Sequence, residues 1–214
     1  AYLTLRAEIR AKTEGLKPNG MESARRYLAL ATRLAELKQP CLIAVGGLSG
    51  TGKSTLARAL APGIGRAPGA IHLRTDEIRK RLAVVSLDAR LPAAAYTPER
   101  SHQVYATMDD AARAALHAGQ AVVADAVFAR EDERAAIEAI AAAAQVPFMG
   151  LWLEAPVPTL EARLGRRTGD ASDADADILH RQLDYNLGRI DWHRLDASAG
   201  AHAVAEAARK LVGA

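Results

Sequence analysis

The residues with the clearest chemistry are Gly46-Gly47-Leu48-Ser49-Gly50-Thr51-Gly52-Lys53-Ser54-Thr55. A glycine, four residues and then Gly-Lys-Ser is the spacing of a loop that wraps phosphate. Glycines let the backbone turn several N–H groups inward with no Cβ in the way. The run that follows, Leu56-Ala57-Arg58-Ala59-Leu60, reads as a helix whose N-terminus adds its partial positive charge. Lys53 reaches the β- and γ-phosphates of a nucleotide, and the Ser54 hydroxyl ligates Mg²⁺. Gly47, Ser49, Gly50, Thr51, Gly52 and Thr55 complete the predicted nucleotide-binding set.

A phosphate loop implies a nucleotide but no particular reaction. Asp76 and Arg79 narrow the choice. Asp76 falls just past the end of a short apolar strand, at the edge where ligands bind in open α/β sheets. Arg79 lies three residues on, so a helix puts both on one face. This pair suits an acceptor hydroxyl, with the carboxylate taking its proton and the guanidinium fixing oxygens. The alternative is a helix cap and its surface partner, with Lys80 and Arg81 also at hand.

Asp125 ends the run Ala121-Val122-Val123-Ala124-Asp125 and is placed to support Mg²⁺ from a neighbouring strand, or simply to cap the next loop. Ala126 follows it, where a motor ATPase would carry Glu to polarise water. Asn-Lys-x-Asp, the guanine-reading motif, is absent. Arg163, Arg166 and Arg167 lie near a helix end, able to close over a transferring phosphoryl group or merely to favour the helix dipole. Arg130 is a further candidate for the acceptor side. Asp170, Asp173, Asp175 and Asp177 read as caps and solvated acids. His102, His180 and His193 show no metal-ligand spacing.

The positioning elements follow from periodicity and breakers. Helices are predicted over 2–13 and 21–38, separated by Gly15, Pro18, Asn19 and Gly20. Leu28, Leu30, Leu34 and Leu37 with Tyr27 form a stripe on the second, which has to be buried against something. Strands are predicted at 41–45, 70–73, 121–125, 146–153 and 192–196. The helices between them include one capped by Thr97-Pro98 and ending near His117 before Gly119. Residues 84–96 read as irregular. The other helices are predicted over 130–144, 159–167, the stretch ending near Leu187, and 201–212. Strands alternating with helices give a parallel, doubly wound α/β sheet. The predicted division is a helical arm, 1–39, and a nucleotide-binding domain, 40–214. A lid near 163–177 is hinged at Gly165 and Gly169 and mobile without ligand.

Half the 214 residues are hydrophobic, enough for a sizeable core; alanine is abundant and only 4% are aromatic, so helices are expected to dominate the layers over the sheet. Cys41 is the one cysteine, which removes an internal disulfide and a thiolate metal site. No run reaches membrane-spanning length and no signal peptide is visible, so a cytoplasmic setting is expected. The chain opens on Ala1 rather than Met, as a processed or trimmed chain would. Net charge is +3, yet residues 1–40 carry eight Lys and Arg against four Asp and Glu. The remainder is close to neutral, which disfavours a long nucleic-acid footprint.

The phosphate loop, Arg74-Thr75-Asp76-Glu77-Ile78-Arg79, Val123-Ala124-Asp125 and the stretch from Arg166-Arg167 to Asp173 together resemble the P-loop small-molecule kinases, over about residues 41–214. These include gluconate- and shikimate-kinase-like enzymes, zeta-toxin-like kinases and the kinase half of polynucleotide kinases. The resemblance implies a three-layer sandwich with a five-stranded parallel sheet, ATP and Mg²⁺ as cofactors, Asp76 activating an acceptor hydroxyl, and lid arginines on phosphates. It also implies that residues 1–38 close a preceding aminoglycoside-phosphotransferase-like domain. Residues 84–100 do not match the acceptor patterns of gluconate or shikimate kinases. The expected activity is transfer of the γ-phosphate to a small-molecule hydroxyl. A polynucleotide 5′-hydroxyl kinase and a regulatory nucleotide-binding module are the alternatives.

Overall fold

The computed structural model describes residues 2–166, 172–174 and 176–213. Arg167, Gly169, Asp170 and Asp175, which the sequence places in the lid, lie outside the described residues. The sheet contains β1 (Leu42–Gly47), β2 (Ile71–Arg74), β3 (Val122–Asp125), β4 (Phe148–Glu154) and β5 (His193–Asp196), all parallel. Their order is β2-β3-β1-β4-β5. The five-stranded parallel sheet with helices on both faces is thus the one expected from the sequence.

Alternation along the strands divides the core in two. Leu42 and Ala44 of β1, Val122 and Ala124 of β3 and Trp152 of β4 face one side. There they meet Val104, Met108 and Ala112 of α5 (Pro98–His117) and Ile137 and Ile140 of α6 (Glu131–Ala143). Ile43, Val45, Val123, Leu151 and Leu153 face the other side. They pack on Leu56 and Leu60 of α3 (Lys53–Leu60) and on Val204, Ala205 and Ala208 of α9 (Ala201–Val212). Gly150 makes room for an indole, since a Cβ there would stand 2.2 Å from Trp192 Cγ.

Several boundaries differ from the sequence expectation for local reasons. β2 runs one residue further, to Arg74, because that residue pairs in register with Asp125 of β3. α4 (Thr75–Leu82) then starts without a side-chain cap. Thr75 Oγ1 instead donates to the Asp125 carbonyl at 3.4 Å. α5 is capped as expected, with Thr97 Oγ1 accepting the Arg100 N–H at 3.3 Å. α7 (Val157–Gly165) begins before Thr159, since Pro158 is tolerated in a first turn. α8 (Ala176–Leu183) ends four residues short of Leu187.

The amino-terminal helices α1 (Tyr2–Gly15) and α2 (Met21–Ala35) form a hairpin that packs mainly on itself. Gly20 is required at its turn, because a Cβ would fall 1.9 Å from the Glu14 carbonyl oxygen. Within the two helices only Ala7, Ala24 and Ala31 are buried among the described residues. α2 stops at Ala35 rather than Lys38; Leu37, at 94% exposure, finds nothing to pack on. The leucine stripe is therefore not fully covered: Leu28 is exposed, while Tyr27, Leu30 and Leu34 are half-buried.

Candidate active site

The register of the strands brings the candidate residues to one edge. Val45 of β1 lies beside Asp125 of β3, which lies beside Arg74 of β2. The phosphate loop, Asp125 and the start of α4 therefore share the carboxyl end of the sheet. A cavity of about 610 Å³ opens there. Ser49, Gly50, Gly52, Lys53, Ser54, Thr55, Asp76, Arg79 and Asp125 all line it.

The loop itself is built by its glycines at two positions. Gly47 lies against β4, where a Cβ would meet the Leu153 carbonyl oxygen at 2.5 Å. Gly52 takes φ 92°, and nothing stands within 4 Å of where its Cβ would be. That open space, beside the first amides of α3, fits a phosphate group. The Lys53 ammonium donates to the Leu48 carbonyl at 3.0 Å, and Thr51 Oγ1 donates to the same oxygen at 2.7 Å. From across the site, Gln182 of α8 accepts the Ser49 N–H at 2.8 Å.

Asp125 is 2% exposed, with His72 Nε2 at 3.2 Å and Arg74 Nε at 3.7 Å. The Arg74 guanidinium, itself buried, also reaches Asp76 at 3.5 Å. Asp76 therefore finds its cation in the last residue of β2 and not in Arg79. Its side chain is a third exposed, toward the cavity. Burial pushes its carboxyl above the usual carboxylate range, and nearby Asp125 adds to the rise. Arg74, Lys53 and the Ser172 hydroxyl pull the other way. A carboxyl displaced upward is a better proton acceptor than an ordinary one. Ser54 and Asp125 are the hard oxygen donors that a Mg²⁺ ion on the nucleotide would need, and both reach the cavity.

Arg79 lines the cavity from a different attachment. It donates to the Ala95 carbonyl at 2.7 Å and to Ser101 Oγ at 3.4 Å, and lies 4.8 Å from the Tyr96 ring centroid. It thus braces the irregular stretch before α5. Arg163 turns away from the site to the Ala197 carbonyl at 2.7 Å. Arg166 is exposed at the end of α7 and does not line the cavity. The arginines that do line it besides Arg74 and Arg79 are Arg58, Arg130 and Arg181. Arg130 is held by Asp132 at 2.6 Å.

Asp173 corrects the sequence reading most. Expected as a solvated acid, it is 8% exposed and pairs with the buried Lys80 at 3.2 Å. Its other oxygen accepts the Leu91 N–H at 2.9 Å and the Tyr96 hydroxyl at 2.7 Å. Burial alone would raise its carboxyl, but these donors hold it below the usual range. Tyr96 is pushed well up by burial and by that same carboxylate. The described part of the segment expected to be loose is thus anchored. Arg58, Arg181, Gln182 and Asp173 were missed because their positions in sequence carry no motif.

A family model of the AAA domain matches residues 42–186. The chain belongs to the AAA domain family. An uncharacterized protein of Mycobacterium tuberculosis is 31% identical over 210 residues, covering 92% of this chain and 41% of the relative. This AAA domain chain therefore spans less than half the length of that relative. A sugar kinase from Janibacter superposes with a TM-score of 0.60 at 19% identity, over 82% of this chain and 95% of its own. The Mycobacterium tuberculosis APS kinase, solved with AMPPNP and APS, gives 0.56 at 19% identity, over 83% and 99%. The fold is that of the P-loop small-molecule kinases, as the resemblance implied. No helix among the described residues is long and apolar enough to cross a membrane.

Proposed function

We propose that the chain is an ATP- and Mg²⁺-dependent kinase that moves the γ-phosphoryl group to a hydroxyl of a small molecule. The observation carrying this reading is Asp76, a carboxyl with raised proton affinity in the same cavity as the phosphate loop. The loop amides, the α3 N-terminus and Lys53 hold the phosphates and meet the charge that develops on them. The acceptor hydroxyl gives its proton to Asp76, its oxygen bonds to the γ-phosphorus, and the β–γ bridging oxygen leaves with ADP. Ser54, with Asp125 behind it, would hold Mg²⁺, which would supply charge neutralisation to the nucleotide phosphates. Arg79 orients the acceptor wall through Ala95 and Tyr96, and Arg166 with Arg167 remains our assignment for closure over the nucleotide, in a lid near 163–177. We assign 1–39 as a separate helical arm, the tail of a preceding phosphotransferase-like domain. Its exposed leucines and the greater length of the mycobacterial relative support this. A cytoplasmic setting suits such a kinase.

The test is transfer from γ-labelled ATP across a panel of polyols, sugars, nucleosides and oligonucleotides. Label on a small alcohol is the expected result. Label confined to oligonucleotide ends selects a polynucleotide kinase instead. Label in water alone, or ATP binding without turnover, selects the regulatory module.

A further inference from the structure

Lys80 and Asp173 form a buried ion pair that ties three separate segments together. Lys80 is on α4, 1% exposed, and its ammonium also donates to the Leu87 carbonyl at 2.9 Å. Asp173 belongs to residues 172–174, between α7 and α8, which line the cavity. Through the Leu91 amide and the Tyr96 hydroxyl it holds the stretch between α4 and α5. Apart from a 3₁₀ turn at Ala93–Tyr96 and a turn in which the Ser86 carbonyl accepts the Ala89 N–H, residues 86–96 are irregular, so side-chain anchors help to set their course. Tyr96 lines the cavity with its ring against Arg79. The preceding residue, Ser172, hydrogen-bonds Asp76. Two consecutive residues therefore touch the proton-accepting carboxyl and the wall that faces it.

We propose that Asp173 is a positioning residue for the acceptor alcohol, fixing the 88–96 wall and Tyr96 at a set distance from Asp76. This rests on the phosphotransfer reading above. A buried ion pair adds little stability over apolar packing of the same shape, but it specifies direction and partner. Here the direction is across the cavity, so Asp173 limits the size and orientation of the alcohol without touching the nucleotide. Lys80 supplies the counter-charge that lets a carboxylate be buried at this point.

The test combines amide exchange over 88–96, Mg·AMPPNP affinity, and steady-state kinetics with the alcohol that the panel identifies. Asp173→Asn keeps the shape and removes the charge. Tyr96→Phe removes one hydroxyl and serves where Asp173→Asn does not fold. Exchange over 88–96 is expected to rise about tenfold in Asp173→Asn and about fivefold in Tyr96→Phe, as for loss of a charged or a neutral-donor bond. The KM for the alcohol should rise by similar factors, with kcat and AMPPNP affinity unchanged. Unchanged exchange and KM in folded variants would overturn the role. So would a fall in kcat at constant KM, which marks a merely structural residue, or a parallel loss of AMPPNP affinity. A wild-type protein that phosphorylates no alcohol overturns the function and this role together. An active wild type with unaffected variants overturns this role alone.

Discussion

The two halves of the cavity are held in different ways. The phosphate side is made mainly by a short run of its own backbone, with Gln182 as a distant tie to Ser49. Its internal bonds, from Thr51 and Lys53 to Leu48, span three and five residues. The facing side is assembled from distant pieces. Arg79 reaches Ala95 across 16 residues, and Asp173 reaches Leu91 across 82. A local loop can be carried intact from one protein to another. An assembled wall changes whenever any contributing segment changes. The donor side can thus stay constant while the acceptor side varies.

Breaking the local half should give the largest effect. Lys53→Ala removes a charge that meets the transition state, and turnover should fall at least about 10³-fold. Label transfer by a folded variant measures it, and wild-type-like turnover would sink the nucleotide assignment.

Asp76→Asn tests the join between the halves. Transfer should fall about 10²- to 10⁴-fold with ATP affinity retained, since Asn accepts no proton. Collapse of ATP affinity in a folded variant would move Asp76 to the donor side. The raised carboxyl also fixes two pH signs. As a base it must be ionised, so activity should fall as pH drops through a midpoint above the ordinary carboxylate range. For stability, the folded protein keeps this proton to higher pH than the unfolded chain does. Stability from this group is present at low pH and lost as pH rises through the folded value. At neutral pH Asp76→Asn should therefore melt higher than wild type. A lower melting temperature would contradict the assigned direction.

The arginines give a smaller, discriminating pair. Arg181→Ala should cost about tenfold in kcat, because this cationic residue lines the cavity. Arg163→Ala should leave kcat unchanged and cost about 1 kcal/mol of stability through its bond to Ala197. Reversed outcomes would return Arg163 to the site. The smallest effect on nucleotide is expected from deleting 1–38. The remaining domain should lose stability or solubility while its ATP affinity, read by calorimetry, stays the same. Loss of ATP binding by a folded truncation would show that the hairpin reaches the site.

Legibility in the sequence follows the same division. The strand, loop and helix around Lys53, and the Thr97-Pro98 cap of α5, depend on neighbours and were readable. So was the place of Asp76 at the carboxyl edge of the sheet, because a strand end precedes it. Arg74 was not readable as its partner, since that depends on register with Asp125. Asp173 looked like one of several loop acids, because Lys80, Leu91 and Tyr96 are remote in sequence. Arg163 looked equivalent to its neighbours, because nothing local shows that β5 ends beneath it.

Leu160, Leu164 and Leu179 form a third apolar cluster, with Leu48 of the phosphate loop and Ala174 packed against it. It is separate from the two cores flanking the sheet and far smaller. Burial of three leucines contributes on the order of 5 to 9 kcal/mol before chain entropy is subtracted. Such a unit can unravel and re-form many times within the lifetime of one folded molecule. α7 and α8 would then have a melting equilibrium of their own, apart from that of the sheet. Native-state exchange should find α8 amides opening at lower free energy than those of β1. Equal opening energies would mean that this cluster and the sheet melt together.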